Sequence, residues 1–230
     1  MIEFIFMLTH KDSTVPDAID VLRGLRGTGL RYVGCKDVGA TPAVLREFVA
    51  RAHDDGLSVL LEVVSTSKAD ELASLRTAVD VDVDWVLGGT NVAAGVLELA
   101  GTGIAYCPFP GRIAGHPSVL EGDIAEIADS AYELTCVEGV HGLDLLTYRH
   151  LTADPAVLTK AVVEASDGPV VTAGSIVDAS QISTMAEAGA WGFTIGGAIF
   201  EGRFPGGPDI ADQVRAVLDM AAATEVAGGA

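Results

Sequence analysis

The sequence is poor in basic residues and in long apolar runs. Its 230 residues include 14 lysines and arginines against 32 aspartates and glutamates, a formal net charge of −18. Most of such a surface would repel a phosphate backbone or an anionic membrane, so we expect neither nucleic acid nor a membrane as a partner. The apolar run MIEFIFML is too short to span a bilayer and lacks a basic leader or a cleavage site, which predicts a cytoplasmic protein.

Cysteine is equally sparse. Cys35, Cys107 and Cys136 form no C-x-x-C pair and leave an odd residue, which favours reduced thiols over disulfides or structural zinc. No His/His or His/Asp pair at the short spacing of metal ligands lies at a predicted strand end. The sequence therefore predicts no metal site and no cofactor.

Eight β-type runs alternate with eight helical segments, from strand 1 at 2–8 to helix 8 at 210–223. This alternation favours a closed barrel over an open doubly wound sheet, since the glycine-rich fingerprint expected after strand 1 of an open sheet is missing. The length is typical of one barrel domain. We predict an α/β, single-domain (β/α)8 TIM barrel over 1–223, followed by a disordered tail at 224–230.

The most informative stretch is 168–204, GPVVTAGSIVDASQISTMAEAGAWGFTIGGAIFEGRF. It contains two consecutive βα units whose strands end in small-residue turns, Gly174-Ser175 and Gly196-Gly197. In a barrel, the backbone N–H groups of the loops after strands 7 and 8 hold the substrate phosphate. We predict these four residues as the phosphate site; alternatively, the glycines only permit close packing of helix against strand.

This stretch resembles the end of the ribulose-phosphate-binding barrels, particularly that of N-acetylmannosamine-6-phosphate epimerases and histidine-pathway isomerases. The resemblance implies a barrel enzyme acting on a phosphorylated sugar or sugar-like metabolite. It is motif-specific only in the last quarter of the chain, because MLTH and YCPF stand where the isomerases carry catalytic aspartates. DWVLGGTN and GFTIGGAI form a weak half-barrel repeat, which by the same resemblance makes Gly88-Gly89-Thr90 a candidate second anion site.

Two charged residues on the neighbouring predicted strands 2 and 3 are the first catalytic candidates. Lys36 ends strand 2, and Glu62 lies in the apolar run VLLEVVS of strand 3, where a carboxylate must find a cation or take up a proton. On neighbouring strands the two side chains would form an acid/base pair able to move a proton next to a carbonyl. The alternatives are an ion pair that only ties the strands together and a lysine that reaches solvent from a loop.

Further candidates follow other predicted strands. His10 and His116 are expected to assist catalysis, and the long loop 108–122, rich in proline and glycine, is predicted to be a lid that brings Arg112 or His116 to the substrate. A cationic mouth on an acidic body indicates an anionic substrate. The residues predicted to contact it are Lys11, Asp37, Arg112 and Arg149.

These observations predict an isomerase or epimerase that acts on a phosphorylated small molecule by proton transfer. A lyase or aldolase in which Lys36 forms a Schiff base is the second hypothesis. A barrel that binds a phosphorylated metabolite without catalysis is the third. Self-association into a homo-oligomer is compatible with the sequence.

Overall fold

The computed structural model describes the backbone of residues 2–227 and the side chains of residues 2–224. Eight parallel strands form one sheet. In chain order they are β1 (Glu3–Met7), β2 (Tyr32–Lys36), β3 (Ser58–Val63), β4 (Trp85–Gly88), β5 (Ala105–Cys107), β6 (Leu143–Leu145), β7 (Val170–Thr172) and β8 (Gly192–Ile195). Their order in the sheet is β6-β7-β8-β1-β2-β3-β4-β5. The predicted (β/α)8 barrel is thus confirmed.

The sheet curls until β5 and β6 meet. The amide of His141 donates to the carbonyl of Tyr106 at 2.8 Å, and the amide of Asp144 donates to that of Pro108 at 3.0 Å. A hydrogen bond of 3.1 Å also joins the amide of Tyr106 to the imidazole Nδ1 of His141. These bonds pair the backbone groups that the two edge strands would otherwise expose.

Helices surround the barrel: α1 (Ala18–Gly24), α2 (Pro42–Asp54), α3 (Lys68–Val81), α4 (Val92–Leu99), α5 (Ile124–Thr135), α6 (Pro155–Ala165), α7 (Ala179–Glu187), α8 (Gly197–Phe200) and α9 (Ile210–Ala227). Several begin at a side-chain cap. The hydroxyls of Thr41 and Ser67 accept amide hydrogen bonds at the starts of α2 and α3, and Asp123 forms a capping box with Glu126 at α5. Such caps satisfy amides that the first helical turn leaves unpaired.

The barrel has a separate inner core. Ile5, Met7, Leu60, Leu87, Cys107 and Val171 fill it. Trp191 lies across its amino-terminal end, stacked on Trp85 at 5.3 Å and edge-on to Tyr32 at 5.5 Å between ring centroids. The aromatic rings close this end of the barrel interior, and the interior opens at the carboxyl ends of the strands.

Two segments differ from the predictions. The long loop after β5 contains a β-hairpin, Arg112–Ala114 paired with Val119–Glu121. Helix α9 continues to Ala227, so residues 224–227 are helical where a tail was predicted, and 228–230 lie outside the described residues. No helix within the described range is long and apolar enough to cross a membrane.

Candidate active site

A cavity of about 260 Å³ opens at the carboxyl ends of the strands. Segments that follow β1, β6, β7 and β8 supply most of its wall. Its polar and charged lining residues are Thr9, His10, Lys11, Asp12, Lys36, Glu62, Ser118, Arg149, Ser175, Thr194 and Glu201. This is the face on which (β/α)8 enzymes carry their active sites.

The ammonium of Lys36 lies between two carboxylates in this cavity. Lys36 and Glu62 are direct partners in the β2–β3 register, so both side chains point into the barrel. Lys36 Nζ is 2.8 Å from Asp12 Oδ1 and 3.7 Å from Glu62 Oε1, and the residues Lys36 and Glu62 are only 6% and 5% exposed. Burial by itself would lower the pKa of Lys36, but the charges of Glu62 and Asp12 outweigh it and raise this pKa. The site therefore holds a protonated lysine beside a carboxylate.

A two-residue hairpin brings Asp12 to Lys36. Thr9–His10 pairs with Ser13–Thr14, and the intervening Lys11 and Asp12 have φ values of 52° and 58°. Two consecutive left-handed residues form the turn that fits the twist of such a hairpin, but for residues other than glycine this conformation is strained. The hydroxyl of Thr14 donates a hydrogen bond to the backbone carbonyl of Lys36 and accepts one from the backbone amide of Lys36, each at 2.9 Å. These two hydrogen bonds fix the hairpin to the end of β2.

Arg149 approaches Asp12 from the other side of the cavity. Its Nη2 donates to Asp12 Oδ1 at 2.7 Å. Burial would raise the pKa of Asp12, but the hydrogen bonds from Arg149 and Lys36 hold this pKa below its usual range. The buried Nε of Arg149 has no hydrogen-bond partner among the described residues. The sequence analysis did not single out Asp12, so its role as the link between two cations was missed.

The two glycine turns border the same cavity with free backbone donors. In the described part of the chain, the amides of Gly174, Ser175, Gly196 and Gly197 donate to no other group. Gly174 and Ser175 have φ values of 84° and 61°. A β-carbon on Gly174 would lie 2.7 Å from Cγ of Arg149. Glycine at 174 thus allows the stem of Arg149 to pass directly under the turn.

Asp144, on β6, is a candidate that the sequence analysis missed. It is fully buried and neither carboxyl oxygen has a hydrogen-bond partner among the described residues. Burial, followed by the negative charge of Glu62, raises the pKa of Asp144 well above its ordinary value, and Lys36 and Arg149 oppose this only in part. A carboxylate within the apolar run LDLL was the same signal that had singled out Glu62.

The remaining predicted residues divide between the cavity and the outside. His10 lines it and has its Nε2 3.5 Å from Glu201 Oε1; Lys11 lines its rim. Asp37 lies elsewhere: its carboxylate accepts hydrogen bonds from the amide of Val64 and the hydroxyls of Ser65 and Ser74, at 3.1, 2.5 and 2.8 Å. Asp37 thus ties the ends of β2 and β3 to α3.

The hairpin in the predicted lid turns its charged side chains away from the cavity. Arg112 is exposed, 3.8 Å from Glu126, and His116 is exposed at the hairpin tip. Neither residue lines the cavity; Ser118 does. The loop therefore does not bring Arg112 or His116 to the cavity in this structure. The opposite face of the hairpin, which carries the buried Leu120, packs against the protein instead.

The turn after β4, proposed as a second anion site, already contains an anionic group. The carboxylate of Glu71 accepts hydrogen bonds from the amides of Thr90 and Asn91 at 3.0 and 2.8 Å, and from the Asn91 side chain at 2.7 Å. Glu71 is 1% exposed. The protein itself therefore supplies the anion that this turn holds.

No cluster of three or more histidine, cysteine, aspartate or glutamate side chains able to hold a metal was found within residues 2–224. No family model and no curated protein matches the chain. The chain is similar in structure to a native KDPGal structure, with a TM-score of 0.69 at 14% identity over 97% of this chain and 96% of that one. It is also similar to a cube-shaped, porous cage designed by fusing symmetric oligomeric domains (TM-score 0.70, 14% identity, 99% and 74% covered).

A third similar structure is a mutant of FabK from Thermotoga maritima, with a TM-score of 0.60 at 15% identity, covering 85% of this chain and 62% of that one. At such identities the likeness extends to the fold alone. The assignment of a reaction therefore depends on the residues of the cavity.

Proposed function

We propose that this barrel is an isomerase or epimerase that moves a proton next to the carbonyl group of a phosphorylated sugar or sugar-like metabolite. The observation that carries the proposal is the Lys36 ammonium held 2.8 Å from Asp12 and 3.7 Å from Glu62, in a cavity that unpaired glycine amides also border. The resemblance of 168–204 to N-acetylmannosamine-6-phosphate epimerases and histidine-pathway isomerases supports the same reaction class.

The phosphate is placed on the amides of Gly174, Ser175, Gly196 and Gly197. Backbone N–H groups bind an anion without a counter-charge, and in (β/α)8 enzymes the loops after the last two strands serve this purpose. Arg149, whose stem packs under Gly174, adds positive charge beside the turn. A phosphate anchored there directs the rest of the substrate toward Lys36 and Glu62.

Glu62 acts as the base and Lys36 as the electrostatic partner and acid. The Glu62 carboxylate takes the proton from the carbon next to the carbonyl, and the electron pair of that C–H bond moves to the carbonyl oxygen as an enediolate. The Lys36 ammonium stabilises the oxygen anion. Protonation of the neighbouring carbon, with transfer of the adjacent hydroxyl proton to the former carbonyl oxygen, completes an isomerisation. In an epimerisation Lys36 delivers a proton to the opposite face of the same carbon, the electron pair returns from the oxygen to re-form the carbonyl, and Glu62 keeps the proton it removed. His10 lines the cavity and is the candidate that assists this transfer.

The Schiff-base alternative requires an unprotonated Lys36. A lysine becomes a nucleophile when its surroundings lower its pKa. Here Glu62 and Asp12 raise the pKa of Lys36 and oppose formation of the neutral amine. Proton transfer is therefore favoured over the lyase or aldolase reaction.

Solvent exchange tests the proposal before the substrate is known. The protein is incubated in D₂O with a panel of phosphorylated aldoses, ketoses and N-acetylated amino sugars, and proton NMR follows loss of the C–H signal next to the carbonyl. We expect exchange in the wild type and its loss in Glu62→Gln and Lys36→Met. Borohydride treatment in the presence of the same compounds should leave Lys36 unmodified; a reduced adduct on Lys36 would establish the Schiff base instead. Binding without exchange or adduct would identify a non-catalytic phosphometabolite protein.

A further inference from the structure

The turn after β4 differs from the turns after β7 and β8 in the use of its backbone donors. The amide of Gly89 donates to the carbonyl of Val63 at 3.0 Å, and those of Thr90 and Asn91 donate to Glu71. Gly88 and Gly89 have φ values of 77° and 81°, whereas Gly196 has a φ of −124°. The two Gly-Gly turns therefore differ in backbone conformation, and only the one after β8 leaves its amides free.

Glu71 is built into this position. It lies in the first turn of α3, and its two carboxyl oxygens together accept four hydrogen bonds, from the amides of Thr90 and Asn91, the Thr90 hydroxyl and the Asn91 side-chain amide. A β-carbon on Gly89 would lie 2.9 Å from Oε1 of Glu71, so the turn also fits closely around the carboxylate. Expelling it would leave partly buried donors without their protein partner.

A second cavity of about 140 Å³ lies beside this turn and shares Ser118 with the main cavity. Hydroxyl groups line one part of it, from Ser65, Thr66, Thr90 and Ser118. Valine, phenylalanine, isoleucine and glycine line the rest, and among residues 2–224 no lysine, arginine or histidine contributes to its walls. An anionic group here would meet no cation and would lie near the charge of Glu71.

We infer that the substrate carries a single phosphate, and that its other end is uncharged, hydroxylated or apolar, and lies in the second cavity. The inference rests on the proposed function, because the single phosphate is the one assigned to the turns after β7 and β8. Glu71 is then a specificity-determining residue: it fills the donors that would bind a second phosphate and repels that phosphate by its charge.

Isothermal titration calorimetry with inorganic phosphate, fructose 6-phosphate and fructose 1,6-bisphosphate tests this inference. For the wild type we expect one phosphate site and no tighter binding of the bisphosphate than of the monophosphate. Glu71→Ala exposes the donors, so the bisphosphate should bind about tenfold tighter than the monophosphate, the factor expected from one charge-assisted hydrogen bond. Glu47→Ala, on the exposed surface of α2, controls for the change in net charge.

Glu71→Gln keeps the volume and one acceptor oxygen, and it replaces the alanine variant if circular dichroism finds that variant unfolded. Loss of the charge should then raise bisphosphate affinity relative to monophosphate affinity. Tighter binding of the bisphosphate to the wild type, or an unchanged ratio in every folded Glu71 variant, overturns the inference. If the wild type binds none of the three probes while Glu71→Ala gains one phosphate site, the proposed function fails and the role of Glu71 as the occupant of the turn stands.

Discussion

Replacing Asp144 by asparagine should change the pH dependence of stability. Asp144 is fully buried without a hydrogen-bond partner among the described residues, and the ionisable groups that interact with its charge are Glu62, Lys36, Arg149 and Cys107. Because the folded-state pKa of Asp144 is raised, the folded protein holds this proton to a higher pH than the unfolded chain, in which aspartate has a pKa of about 3.9. From that pH upward the unfolded chain binds fewer protons, so the free energy of unfolding decreases as the pH rises.

The size of the effect follows from one proton. The free energy of unfolding should fall by about 1.4 kcal/mol per pH unit from about pH 4 until the folded carboxyl ionises. Asp144→Asn keeps the shape of the side chain but cannot titrate, so it should lack this contribution. The difference in unfolding free energy between wild type and Asp144→Asn should therefore change with this slope, with the variant gaining relative stability as the pH rises.

Urea denaturation at intervals between pH 4 and pH 8 measures this difference. Asp80→Asn makes the same chemical change on the exposed side of α3 and should follow the wild type. Infrared spectra recorded from pH 4 upward should contain a protonated carboxyl band that persists above the titration range of a free aspartate and is missing in Asp144→Asn. Parallel stability curves for wild type and Asp144→Asn, together with no such band, would refute the conclusion that Asp144 holds a proton in the folded protein.

Three further predictions concern the same site and the thiols. Lys36→Met should lower proton exchange on the true substrate by at least about 100-fold, as expected for loss of an acid/base group, while phosphate affinity changes little; retention of most activity would make Lys36 structural. Gly174→Ala should cost roughly 1–2 kcal/mol for its left-handed backbone and weaken phosphate binding by displacing the arginine beneath it. Gly27→Ala is the control, because Gly27 also has a positive φ but a β-carbon there would meet no other atom. Equal effects of Gly27→Ala and Gly174→Ala on phosphate binding would exclude the steric explanation. Ellman's reagent should label only Cys136 in the native protein, since Cys35 and Cys107 are buried, and three thiols after denaturation.

The sequence by itself determined the barrel and the two glycine turns at the carboxyl ends of its last two strands. The alternation of apolar β-type runs with helical segments was sufficient to predict the barrel, because parallel strands covered on both faces are apolar throughout and each is followed by a helix. Because such strands are apolar, the carboxylate of Glu62 was conspicuous within its strand. Asp144 is likewise a carboxylate within an apolar strand, although it was not among the predicted site residues. Adjacent parallel strands then placed Lys36 beside Glu62 by register alone.

Only the tertiary structure decided which other charges belong to the site. Asp12 reaches Lys36 because a strained hairpin folds back over the strand end, and Arg149 meets Asp12 across 137 residues of chain. Glu71 fills the turn after β4 although nothing in its own helix indicates that contact. The spacing of residues in the sequence predicts which of them share a face of one helix or strand. The contacts of Asp12, Arg149 and Glu71 join the ends of separate elements, and the distances between these ends are set by how the barrel closes.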